Sequence, residues 1–267
     1  MVARDDTGPR AGVFVSGADL ERVGAARVYF GHQSVGANLL QGLEDLQAGL
    51  GQPVIRVTLP GVFDAVDGRG VFLHSAIGRN QHPDSKCEDF RRVLEQLRGQ
   101  LDVALFKFCY VDFGDTSDAG AIFAAYVRTM DELKARHPDI VFIHVTAPLR
   151  TVEGGAGVWL REVLGRRNRA KHANARRNEF NALLRARYAG EPVFDLAAIE
   201  ATRPDGRRET FRLAGGTYDA LVPAYTDDGG HLNEAGRVRA AAGLIQTLAE
   251  ALRVAHRQGP AASPAVS

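Results

Sequence analysis

The sequence predicts an α/β protein: a three-layer α/β/α sandwich, flavodoxin-like, around a parallel sheet of about five strands. Three observations predict it. Short apolar runs of strand length alternate with longer segments whose apolar residues recur at helical spacing, with no internal repeat. The short runs are continuously apolar, which suits strands covered on both faces. The chain has 267 residues, 45 % hydrophobic and 24 % charged, enough to bury a large core in one domain.

In chain order, residues 1–24 read as a polar leader. Residues 27–31 form a compact apolar strand closed by Gly31, and Leu39, Leu40, Leu43, Leu46 and Leu50 then mark a helix over 35–50. Residues 54–59 read as the second strand, stopped by Pro60-Gly61, and 60–85 as loop. Phe90, Val93, Leu94 and Leu97 share one face of a helix over 90–101, and 103–108 is the third strand. A helix over 119–136 stops at His137-Pro138. Residues 140–145 are a buried strand, 174–188 a helix, 193–196 a short strand and 233–253 the last helix. Insertions near 149–170 and 201–226 interrupt a single domain over 25–256, and 257–267, rich in Gly, Pro, Ala and Ser, reads as a disordered tail.

The net charge of +1 points away from nucleic acid and other polyanions. Cys87 and Cys109 make no disulfide framework, and a reducing cytoplasm is the simplest location. No apolar stretch reaches the ~18–20 residues of a membrane helix, and residues 1–17 hold no signal-like apolar core. No His/Cys cluster has metal spacing, so neither metal nor cofactor is expected. The run Arg161, Arg166, Arg167, Arg169, Lys171, Arg176, Arg177 reads as a solvated helix face, or more sharply as a site for a substrate anion. Gly154-Gly155-Ala156-Gly157 lacks the following Lys-Ser/Thr of a phosphate loop and reads as a flexible insert. Asp112-Phe113-Gly114 has no kinase context.

In parallel sheets of this kind, sites gather at the carboxyl ends of the strands. Two segments there carry chemistry. In Gly31-His32-Gln33-Ser34-Val35-Gly36, Ser34 sits between a strand end and a helix start, where backbone N–H groups can hold an oxyanion. In Asp227-Asp228-Gly229-Gly230-His231-Leu232-Asn233, two glycines let Asp228 reach Nδ1 of His231 and leave Nε2 free to take a proton from serine. Alone, Ser34 reads as a helix N-cap; paired with the late segment it reads as a nucleophile. His32 reads as a packing or substrate-facing residue, and Asp112 as a site-edge residue or the acid of a local turn.

The pair of motifs resembles the SGNH/GDSL hydrolases, over about residues 27–250. Asp228-Gly229-Gly230-His231-Leu232-Asn233-Glu234-Ala235-Gly236 is close to the family's late motif, and Gly31-His32-Gln33-Ser34-Val35-Gly36 resembles the start of a divergent bacterial subgroup. The resemblance implies the SGNH hydrolase fold, a catalytic Ser34–His231–Asp228 triad, and an oxyanion hole matched to Gly78. The family's asparagine should follow the third strand, near Cys109-Tyr110-Val111-Asp112, and none is there; Asn80 is the alternative side-chain donor. The implied activity is hydrolysis of an ester or thioester of a small molecule or carbohydrate through an acyl-serine. Alternatives are an acyltransferase with the same triad and a non-catalytic binding or complex-forming module.

Overall fold

The structure, a computed structural model, describes residues 15–48, 54–59, 70–153 and 167–258. The leader's first fourteen residues, Pro60-Gly61, Gly154 to Gly157, Arg161, Arg166 and the tail from residue 259 lie outside these ranges. The fold is α/β, with a six-stranded parallel sheet flanked by helices. The strands are β1 (Arg27–His32), β2 (Val57–Thr58), β3 (Val71–Ala76), β4 (Val103–Phe106), β5 (Val141–Val145) and β6 (Val193–Phe194). Their order is β2-β3-β1-β4-β5-β6, and all five pairings are parallel. The helices are α1 (Gly17–Ala25), α2 (Val35–Ala48), α3 (Pro83–Gln96), α4 (Ala119–Arg136), α5 (Arg169–Arg187), α6 (Leu196–Ala201) and α7 (Glu234–Gln258).

Alternation along β1 feeds two cores. Val28 and Phe30 join α1, α2, α6 and α7 on one face of the sheet, while Tyr29 joins α3, α4 and α5 on the other. Each buried strand therefore needs apolar residues at successive positions, which is why the strands read as continuous runs.

The elements differ from expectation in several places. Within the polar leader, residues 17–25 are helical: Ser16 caps the helix by accepting the Asp19 N–H, and Leu20 and Val23 enter the core. The 54–59 strand shrinks to the two-residue edge strand β2, and β3, inside the expected loop, is the partner of β1 over six residues. Helix α3 starts at Pro83, whose fixed φ and missing N–H suit a first turn. The 201–226 insertion contains an antiparallel hairpin, β7 (Thr210–Leu213) and β8 (Gly216–Asp219), packed against α5. Helix α7 also runs to Gln258, past the expected 253. Among the described residues, no helix is long and apolar enough to cross a membrane.

Candidate active site

The dyad is built by one turn. The Asp228 Oδ1 accepts the backbone N–H groups of Gly230 and His231, both at 2.8 Å, and Oδ2 meets Nδ1 of His231 at 2.5 Å. Gly229 has φ +80, a left-handed conformation that glycine adopts without penalty and that folds the carboxylate back on the imidazole. These bonds, the imidazole contact foremost, hold the Asp228 carboxyl well below its ordinary range. An ionised acceptor on Nδ1 assigns the ring proton to that nitrogen and leaves a lone pair on Nε2. Both side chains are substantially exposed, so the dyad faces solvent.

Ser34 lies in the turn between β1 and α2 and is exposed. Its carbonyl accepts the Ala37 N–H, while its Oγ makes no hydrogen bond among the described residues, to His231 or otherwise. The Ser34 and Val35 N–H groups likewise find no acceptor among the described residues and lie at the N-terminus of α2. The serine helix and the histidine loop are joined one turn further on, where Asn38 Oδ1 accepts the Leu232 N–H at 3.1 Å.

One expectation for the rest of the site is corrected, and two readings that the sequence left open are decided. Gly78 does not offer its amide: that N–H is donated to Asp89 Oδ2 at 2.6 Å. His32 does not face substrate. It is 6 % exposed, stacked on Phe30, and its Nε2 lies 3.1 Å from His74 Nδ1. Burial, then Lys107 and His74, push its pKa down to about 3, so it stays neutral. Asp112 is not at the site edge. It is buried, paired with the equally buried Lys86, and accepts the Cys109 and Gln81 N–H groups at 2.6 and 2.9 Å. This ion pair ties the first turn of α3 to the turn after β4. Asn80 is exposed, and its Oδ1 accepts from Lys86 Nζ at 3.2 Å, which leaves its own N–H₂ directed elsewhere.

Three residues with work at the site were given no role from the sequence, and a fourth was given the wrong one. Gln33 donates its side-chain N–H₂ to the carbonyls of Ile77 and Gly78, at 2.9 and 2.6 Å, and so pins the Ser34 turn to the end of β3. Tyr110, in the single 3-10 turn Tyr110–Asp112 after β4, places its hydroxyl 3.3 Å from His231 Nε2. Arg150, after β5, donates Nε to the Gly229 carbonyl at 3.3 Å and lies over the Tyr110 ring. Arg177 is a correction to the solvated arginine face. It is 4 % exposed and donates to the carbonyls of Tyr110 and Phe113, at 2.9 and 3.3 Å, and to Asn174 Oδ1. Burial, helped by Arg150, lowers its pKa to about 10. The signal in the sequence was position alone: Tyr110 and Arg150 each follow a strand's carboxyl end.

No protein-family model matches the sequence, and neither does any curated protein. Solved structures do. A candidate acylhydrolase from Bacteroides fragilis NCTC 9343 aligns with a TM-score of 0.55 at 18 % identity, over 85 % of this chain and 88 % of that one. The two share a fold. A candidate SGNH hydrolase from Slackia heliotrinireducens aligns at 0.45 and 18 % identity, over 84 % and 99 % of the two chains. The psychrotrophic esterase EstA from Pseudoalteromonas sp. aligns at 0.48 and 8 %, over 85 % and 99 %. At these identities the likeness speaks to the fold.

Proposed function

We propose that the protein is a serine-dependent esterase-type hydrolase, with Ser34 as nucleophile, His231 as base and Asp228 orienting it. The observation that carries this reading is the dyad: a carboxylate 2.5 Å from Nδ1 of a part-exposed imidazole. Further support comes from the exposed Ser34 in the β1–α2 turn and from the Ser34 and Val35 amides, which find no acceptor among the described residues. A recess of about 530 Å³ lies beside the dyad turn, lined by Thr151, Val152, Glu153, Pro223, Thr226 and Gly229.

In this reading Ser34 Oγ adds to the ester carbonyl carbon as its proton passes to His231 Nε2. The carbonyl oxygen becomes an oxyanion held by the Ser34 and Val35 amides, with Asn80 as a side-chain candidate. Nε2 then gives the proton to the departing alcohol, leaving an acyl-serine. Water attacks the acyl-serine, again losing its proton to Nε2, and the carboxylic acid leaves with Ser34 restored.

One observation favours a second reading, a binding module without catalysis: Nε2 of His231 is met by Tyr110 and not by Ser34. Labelling with a fluorophosphonate, followed by peptide mapping, separates the two. The proposal requires a covalent adduct on Ser34, lost in Ser34→Ala and at least ~10²-fold slower in His231→Ala. An unlabelled wild-type protein favours the binding module. Ser34→Ala turning over p-nitrophenyl acetate as fast as wild type overturns the serine mechanism.

A further inference from the structure

Tyr110 is the one side chain that touches the candidate base at the nitrogen where the proton moves, among the described residues. Its hydroxyl and His231 Nε2 are 3.3 Å apart, and the two rings meet edge to face at 5.6 Å. Asp228 fixes the imidazole proton on Nδ1, so Nε2 can only accept and the tyrosine O–H is the donor. The phenol keeps its proton: burial raises its pKa above the ordinary 10.

The hydroxyl is held in place from three sides. Arg177 donates to the Tyr110 carbonyl at 2.9 Å, and Asp112 accepts the Cys109 N–H at 2.6 Å, so the backbone turn is clamped at both ends. The Arg150 guanidinium lies 5.2 Å from the ring centroid. The ring also lies against Gly230, where an added Cβ would come within 3.1 Å of it. Such fixing is what a preorganised donor needs.

Resting on the serine reading above, we propose that Tyr110 is a catalytic residue, an oxyanion donor that the Ser34 O–H displaces from Nε2 as reaction begins. Before reaction its O–H points at the lone pair of Nε2. Nε2 has one lone pair, so the Ser34 O–H takes the place of the Tyr110 O–H before its proton can pass, and once Nε2 is an N–H it cannot accept from tyrosine again. The Tyr110 O–H then has no acceptor on His231. The oxyanion formed in the same step, on the carbonyl that Ser34 attacks, supplies one. No proton leaves the phenol; the hydrogen bond changes acceptor. The bond to substrate strengthens as charge develops on that oxygen, so it lowers the barrier more than it tightens ground-state binding.

Tyr110→Phe tests this, since it removes the hydroxyl and keeps the ring against Arg150 and Gly230. Turnover of p-nitrophenyl acetate should fall ~10²–10³-fold in kcat, with KM changed less than about threefold. Phosphonylation of Ser34 by a fluorophosphonate should slow in parallel, because the phosphoryl oxygen draws on the same donors. The melting temperature, read alongside, should stay within about 2 °C of wild type, which separates a lost donor from a lost fold. Labelling of Tyr110→Phe within about threefold of wild type, with Ser34→Ala unlabelled, overturns the Tyr110 assignment and leaves the serine reading intact. A rise in KM at unchanged kcat makes Tyr110 a binding residue and likewise overturns it. Absence of Ser34 labelling in the wild type removes the serine reading, and the Tyr110 assignment with it.

Discussion

At the scale of single residues, the segment Gly31 to Gly36 is a device for presenting one side chain. His32 turns inward onto Phe30 and His74, Gln33 clamps the end of β3, and Ser34 is left exposed at the helix start. The partner half depends on Asn38, one helical turn beyond Ser34. Its Oδ1 accepts the Leu232 N–H, the residue after His231, and so sets the histidine loop against the serine helix. Asn38→Ala leaves that N–H without its partner. A partly buried hydrogen bond of this kind stabilises by about 0.5–1.5 kcal/mol, so a small loss in denaturant midpoint is expected. The larger effect belongs to activity: if the loop drifts, Ser34 and His231 lose register, and kcat should fall ~10-fold or more. Steady-state kinetics beside a urea melt measure both, and a variant with normal kcat would show that Asn38 only caps the loop.

At the scale of elements, the junction of β1 with α2 is packed without slack. A Cβ built on Gly36 would stand 2.3–2.5 Å from Cβ, Cγ and Nδ1 of His32, whose ring is buried and stacked. Gly36→Ala should therefore destabilise by ~1–3 kcal/mol through overpacking, read as a lower midpoint in chemical denaturation; an unchanged midpoint would mean the helix can shift away from the strand. This junction also shows what the sequence could and could not disclose. The Asp228–His231 dyad was legible because both partners sit in one turn, three residues apart. Asn38 was not, since its partner lies 194 residues away. Strand β3 was misread because only Val71, Phe72 and Leu73 are buried; His74, Ser75 and Ala76 emerge toward the site and look like loop. Residues 54–59 carried a better strand pattern, yet two residues of edge strand are all that pair there. Arg177 read as surface because charge usually means solvent. Here the guanidinium replaces water for the carbonyls of Tyr110 and Phe113, a partnership that only the folded chain creates.

At the scale of the whole molecule, buried ionisable groups set how stability responds to pH. Burial brings His32 down to about 3 and, with Lys134 nearby, His144 to about 4, against 6.5 for a free imidazole. Below pH 6.5 the unfolded chain binds protons there that the folded one refuses, so stability falls as pH drops toward 4. Glu200 works with the opposite sign. It is 1 % exposed, one oxygen accepts the Leu149 N–H, and the other has no partner among the described residues. Burial raises its pKa to about 8 from 4.5, even with Lys107 and Arg177 pulling it down. Between pH 4.5 and 8 the folded state therefore keeps a proton that the unfolded state gives up, and stability falls as pH rises through that window. Glu200→Gln keeps an oxygen for the Leu149 N–H and abolishes the titration. The melting temperature of the variant relative to wild type should rise steadily from pH 5 to pH 8, by roughly 2–4 °C for each kcal/mol of penalty removed, while the acid side, governed by His32 and His144, stays parallel in the two proteins. A difference that is flat from pH 5 to 8 would mean that Glu200 is ionised in the folded state, held so by Lys107 and Arg177.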